Sequence, residues 1–226
     1  LMYSNKKKQK NMFKIGSGTI QSPKYSFKVS GLDFASKNKI LVPNAYLLTH
    51  ETLQEFESPT FENNFLLRQI QELPIKHRFA IRSAFSVEDQ KTNSFAGMFK
   101  TVISVNSKKP EEVLSAIKNV LMSSKKVNGN FRKDILIMEM VATKHSGVAF
   151  TENEYQDDWV NWTTGLGSKL VSGEVSGKII RMPKLGNWDF IKTVNQFSKE
   201  PEFYNRLQQL LKKVRTVFGE KDWDIE

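Results

Sequence analysis

Cysteine is absent from the 226 residues. That excludes a disulfide framework and any thiolate metal centre. It fits a reducing compartment, and a cytoplasmic location is expected. Histidine is scarce, with His50, His77 and His145 as the full set. None stands near Asp or Glu at metal-ligand spacing, and no Ser–His–Asp order is present, so all three read as ordinary side chains. No apolar run is long enough to span a bilayer, and no charged-then-apolar leader is visible. Neither a membrane partner nor a secretory signal is expected. No internal repeat is evident.

What is present is a globular balance, 39% hydrophobic and 26% charged, enough for a sizeable core. The formal net charge of +10 favours an anionic partner: nucleic acid, a membrane surface or a polyphosphate ligand. Part of the excess lies in Lys6, Lys7, Lys8 and Lys10, which read as a solvated tail. No aromatic–basic RNA motif or helix-turn-helix pattern accompanies the charge, so no nucleic-acid partner is expected. The start at Leu1 suggests a piece of something longer.

Residues 1–24 are Lys-, Ser- and Gly-rich and read as a basic tail or linker, with Gly16-Ser17-Gly18 as a plain turn. A helix is expected after Lys28, then a short strand over Ala45–Leu48. Thr49 looks like the N-cap of a helix through Phe56. Phe65–Leu73 reads as a further helix, Phe79–Ser83 and Thr101–Val105 as strands. Pro110 opens a helix carrying Val113, Ile117, Val120 and Leu121. Ile135–Val141, Gly147–Thr151 and Glu174–Met182 read as strands. Pro201 opens a long amphipathic helix through Phe218, and Trp223–Glu226 begins a last strand. Strands and helices mix without strict alternation, which predicts an α+β fold. The polar, basic stretch Ser123–Arg132, with Asn128-Gly129 inside it, predicts lobes over 25–127 and 128–226.

Four groups of residues have chemical potential. Asp224 and Glu226 share one strand face and suit a hard cation, or form a solvated acidic pair. Arg82 suits a phosphate fork, or pairs with Glu88 or Asp89. The turn around Gly97, leading to Thr101, can offer backbone N–H groups to phosphate, or is a simple hairpin. Gly165-Leu166-Gly167 and Gly173 suggest tight turns or pocket lining.

The order of these segments carries a resemblance. SFKVSGLDFASKNKILVPNAYLLTHETLQEF, FAIRSAFSVED, SFAGMFKTVISVN, ILIMEMV with SGVAFT, GLGSKLVSG and FGEKDWDIE follow one another over residues 25–226. Together they resemble the nucleotide domain of the pyruvate phosphate dikinase and phosphoenolpyruvate synthase family. The resemblance implies a two-lobed, ATP-grasp-like fold with mixed or antiparallel sheets and flanking helices, binding ATP and Mg²⁺. It implies that Lys28 and Arg82 bind and polarise the phosphates, and that the loop around Gly97 closes as a lid running into Thr101. It places Glu139, Met140 and Val141 along the adenine and ribose, and Asp224 and Glu226 on Mg²⁺. Phosphate would pass to a histidine on a separate swivelling domain and then to an acceptor domain, both outside this sequence. Three departures stand out: Ser26-Phe27-Lys28-Val29 replaces Gly-Gly-Lys-Gly, Ser168 replaces a glutamate, and Glu152 replaces a basic residue. They keep a second reading open, a degenerate regulatory nucleotide-binding module. The family pattern continues past Glu226 into a Gln-x-Arg strand.

Overall fold

Two antiparallel sheets organise the described residues. The computed structural model describes residues 12–57, 63–75, 78–89, 98–151, 157–167, 170, 175–183 and 201–226. The fold is α+β, as its sequence predicts. By contacts the chain divides into two compact units at Val141/Ala142.

The first unit runs β1 (Met12–Lys14), α1 (Phe27–Lys37), β2 (Ala45–Leu48), α2 (His50–Phe56), α3 (Asn63–Gln71), β3 (Phe79–Phe85), β4 (Thr101–Val105), α4 (Pro110–Ser123) and β5 (Lys133–Glu139). Its sheet has the order β1-β2-β5-β3-β4, antiparallel throughout. Side chains alternate between the two faces. Phe79, Ile81 and Phe85 of β3, with Ile135 and Ile137 of β5, meet Leu53, Phe56, Leu66, Ile70, Ile117 and Val120 from α2, α3 and α4. The opposite face presents Leu47, Ala84 and Leu136 to Val29 of α1 and to Ile15 and Ile20.

Local signals start the helices as the sequence suggests. Thr49 caps α2, its side chain accepting from Thr52 N–H, and Pro110 occupies the first turn of α4. α1 is held differently. Asp33, buried in its middle, accepts from Gly16 N–H at 2.6 Å and Ile20 N–H at 3.1 Å. Gly16 has φ +102°, and a Cβ there would lie 2.5 Å from Ser36 Oγ. The turn that composition assigns to a tail is therefore a backbone cradle for a buried carboxylate. Residues 12–24 belong to the fold: β1 pairs with β2, and Ile15 and Ile20 enter the core.

The sequence reading divides the lobes at 127/128, within the Ser123–Arg132 stretch. That stretch instead carries the chain from α4 back to β5, and β5 is hydrogen-bonded between β2 and β3. Sheet pairing outweighs local polarity in placing the division.

The second unit contains β6 (His145–Thr151), β7 (Asp157–Thr164), β8 (Lys178–Pro183), α5 (Pro201–Phe218) and β9 (Trp223–Ile225). The sheet order is β8-β7-β6-β9, again antiparallel. α5 covers one face through Phe203, Tyr204, Leu207 and Leu211, packed on Ala149, Val160, Trp162, Ile180 and Met182. Buried Arg215 of α5 pairs with buried Asp158 of β7. Among the described residues, no helix is long and apolar enough to cross a membrane.

Candidate nucleotide site

Lys28 stands in the first turn of α1, and Arg82 in the middle of β3. Alternation puts Arg82 on the same sheet face as Ala84, the face that α1 covers; its cross-strand neighbours are Leu136 and Thr101. The Lys28 ammonium donates to Ser83 O at 3.2 Å and forms an ion pair with Glu88. Glu88 lies in the short 3₁₀ turn after β3, where its other oxygen accepts from Phe85 N–H at 2.8 Å. The first unit thus brings Lys28 and Arg82 to one strand from segments 54 residues apart (82 − 28). Thr101 is directly opposite Arg82 on β4. Gly97 lies outside the described residues. The chain just after it is anchored: Lys126 Nζ donates to Met98 O at 3.2 Å, Lys100 N–H donates to Ser123 Oγ at 3.1 Å, and Phe99 meets Phe85 edge-on at 5.0 Å.

Glu139 and Met140 are tied into their surroundings at the end of β5. Glu139 N–H donates to Asn44 O at 2.8 Å, and Asn44 Nδ2 donates to the Glu139 carboxylate at 2.7 Å. Burial raises the Tyr46 hydroxyl pKa, and the negative Glu139 raises it further. Met140 N–H donates to Arg78 O at 2.8 Å. Its sulfur accepts from Ser104 N–H at 3.0 Å, and Arg78 Nη1 donates to Ser104 O at 2.7 Å. Ser104 has φ +62° beside a register shift in the β3–β4 ladder, which turns its N–H toward the sulfur. The backbone N–H groups of Glu139 and Met140 are therefore spent within the unit, while Val141 is half exposed.

In the second unit, Asp224 faces Phe150 across the β6–β9 ladder, and its core-facing neighbour Ile225 faces Ala149. Asp224 therefore lies on the face opposite α5. Thr151 fixes β9 by donating to Lys221 O and accepting from Trp223 N–H, both at 2.9 Å. Asp224 is exposed as a residue, yet partial desolvation raises its pKa, and the like charge of Glu226 raises it further. Among the described residues no group of three or more His, Asp or Glu is placed to hold a metal. Two carboxylates complemented by phosphate oxygens and water fit the donor demand of Mg²⁺, and their mutual repulsion is what a cation relieves.

A family model described as the AMP/ATP-binding domain of pyruvate phosphate dikinase matches residues 63–222, more than half of the chain. The chain belongs to this family. Within the dikinase match lie Arg82, Gly97, Thr101, Glu139, Met140 and Val141; Lys28 precedes it, and Asp224 and Glu226 follow it. No curated protein matches the chain.

The sequence reading of this dikinase-family domain offers Arg82 an ion pair with Glu88 or Asp89; the structure gives the Glu88 carboxylate to Lys28 and Phe85 N–H, and the Asp89 side chain lies outside what is described. It missed Asn44 and Asp33, which hold Glu139 and α1. An Asn after Val-Pro and an Asp on the inner face of a helix were the available signals, but each names its partner only once the chain is folded.

Proposed function

We propose that the chain binds MgATP and supplies phosphate to a histidine on a separate swivelling domain, from which it passes to an acceptor such as pyruvate, an antibiotic, a glucan or a glutamine-like amide. Lys28 and Arg82 bind and polarise the phosphates. The loop containing Gly97, with Thr101 at its foot, covers them. Glu139, Met140 and Val141 line the adenine and ribose. Since the N–H groups of Glu139 and Met140 are spent within the unit, Val141 supplies the hinge N–H that reads the base. Asp224 and Glu226 hold Mg²⁺, which when bound adds its charge to the neutralisation of the phosphate oxygens.

The observation that carries this reading is the arrival of Lys28 and Arg82 at one strand in a domain of an ATP-binding family. Phosphoryl transfer needs alignment and charge neutralisation more than covalent help. A flexible ammonium and a planar guanidinium supply a point charge and a two-pronged donor respectively. Neither group has to exchange a proton.

Calorimetric titration with ATP, with and without Mg²⁺, tests the assignment. Lys28→Ala and Arg82→Ala are each expected to weaken binding by about tenfold or more, the scale of one charge-assisted hydrogen bond. Wild-type protein that is folded and binds no ATP would overturn the reading. Binding without transfer to an added histidine domain would instead support the regulatory alternative.

A further inference from the structure

Lysine is a long side chain, and without an anchor its ammonium samples many positions. Lys28 is anchored by a residue that itself is fixed. Glu88 sits in the 3₁₀ turn immediately after β3, with one carboxylate oxygen held by Phe85 N–H at 2.8 Å. The other oxygen takes the Lys28 ammonium, which also donates to Ser83 O at 3.2 Å. Two of the three ammonium N–H bonds are thus directed at the end of β3, and one remains for an anion. The Lys28 side chain stays 31% exposed while that of Glu88 is 13% exposed, so Glu88 is the more enclosed partner of the pair.

We infer that Glu88 is a positioning residue: it holds the Lys28 ammonium at β3, the strand that carries Arg82, before a phosphate arrives, so that the phosphate meets a preformed cation. This inference rests on the reading of Lys28 as a phosphate-binding residue. A purely structural Glu88, closing the turn after β3, makes different predictions. It affects every ligand alike and acts whether or not Lys28 is present. A positioning Glu88 affects only ligands that carry phosphate, and only through Lys28.

The test uses the full chain and two probes, ATP by calorimetry and adenosine by ligand-observed NMR. Glu88→Gln retains a carbonyl oxygen for Phe85 N–H but turns a neutral amide toward the ammonium. It is expected to weaken ATP about tenfold, as for loss of one charge-assisted contact, and to leave adenosine unchanged. In the Lys28→Ala background, Glu88→Gln is expected to add nothing, since the two residues act as one unit. Glu88→Asp keeps the charge with shorter reach and is expected to fall between wild type and Glu88→Gln for ATP alone; it serves if Glu88→Gln does not fold. Equal loss for ATP and adenosine, or full additivity with Lys28→Ala, would overturn the inference. So would unchanged ATP binding in a Glu88 variant. If Lys28→Ala itself leaves ATP binding intact, the phosphate reading fails first and this inference with it. If Lys28→Ala weakens ATP and the Glu88 variants do not, only the positioning role fails.

Discussion

Asp224 lies on β9 and Glu226 just past its end, and the fold raises the Asp224 pKa through desolvation and the like charge of Glu226. A carboxylate whose folded pKa is raised costs stability at neutral pH, where it must be charged. The cost disappears on acidification below the unfolded value of about 4. Asp224→Asn is therefore expected to stabilise the chain at pH 7 by about 0.5 kcal/mol, the scale of an exposed charge interaction. The gain should vanish near pH 3, on the acid side of the carboxylate range. The same change should abolish Mg²⁺-dependent enhancement of ATP binding. Urea unfolding at the two pH values and calorimetry with Mg²⁺ read the two effects separately. A loss of stability at pH 7 would show that Asp224 is a structural carboxylate. At this scale residue type and neighbours are what the proposed roles of Lys28, Arg82, Asp224 and Glu226 start from. Sequence could not name Glu88 as the support of Lys28, because that contact joins residues 60 positions apart and depends on α1 packing on the sheet face that carries Ala84.

Between elements, partner choice is set by sheet order rather than by chain order. Arg132 shows the consequence. It follows the Asn-Gly stretch that looks like a lobe boundary, yet it grips Glu51 in the first turn of α2 through two hydrogen bonds, at 2.6 and 2.9 Å, and Asp134 on β5 at 2.8 Å. It also stacks its guanidinium over Tyr25. Hydrogen bonding from Arg132 is the main cause that lowers the Glu51 pKa to about 2. A depressed folded pKa contributes stability that is present above the unfolded value of about 4.5. That contribution is lost as pH falls from there through about 2. Because Glu51 is 42% exposed on its side chain, solvent screening limits the contribution to ~1 kcal/mol. Glu51→Gln is expected to lower stability at pH 7 by that amount and to flatten the acid limb of the stability profile. An unchanged acid limb in urea titrations would assign the acid sensitivity to other carboxylates. Most elements were legible because period and a start signal agree, a Thr cap in α2 and an opening Pro in α4 and α5. β7 was not: Asp157, Asp158 and Asn161 dilute its aromatic and apolar positions, although Val160 and Trp162 alternate into the core. β1 was hidden by the basic composition around it, and only its pairing with β2 reveals it.

For the whole molecule, the boundary between the two units decides which pieces can fold. The first unit contains both clusters that sandwich its sheet, and the second has its own core beneath α5. The family and the α+β class were legible in the sequence because the ordered motifs survive local change, whereas the boundary was not, because a polar connection and a polar linker look alike until strand pairing is known. The two placements predict opposite outcomes for truncation. A fragment of residues 1–141 keeps β5 between β2 and β3, and is expected to unfold cooperatively in urea. A fragment of residues 1–127 lacks that central strand: β2 and β3 would each lose their shared partner, and Ile135, Leu136 and Ile137, all fully buried, would leave the core. Each such loss costs about 2–5 kcal/mol, and three together exceed the lower range of stability typical of a whole domain, about 5–15 kcal/mol. The shorter fragment is expected to show no cooperative transition and to bind hydrophobic dye. Cooperative folding of residues 1–127 would restore the boundary suggested by composition. Folding of residues 1–141 alone would show that strand pairing, rather than the polar stretch before it, closes the first unit.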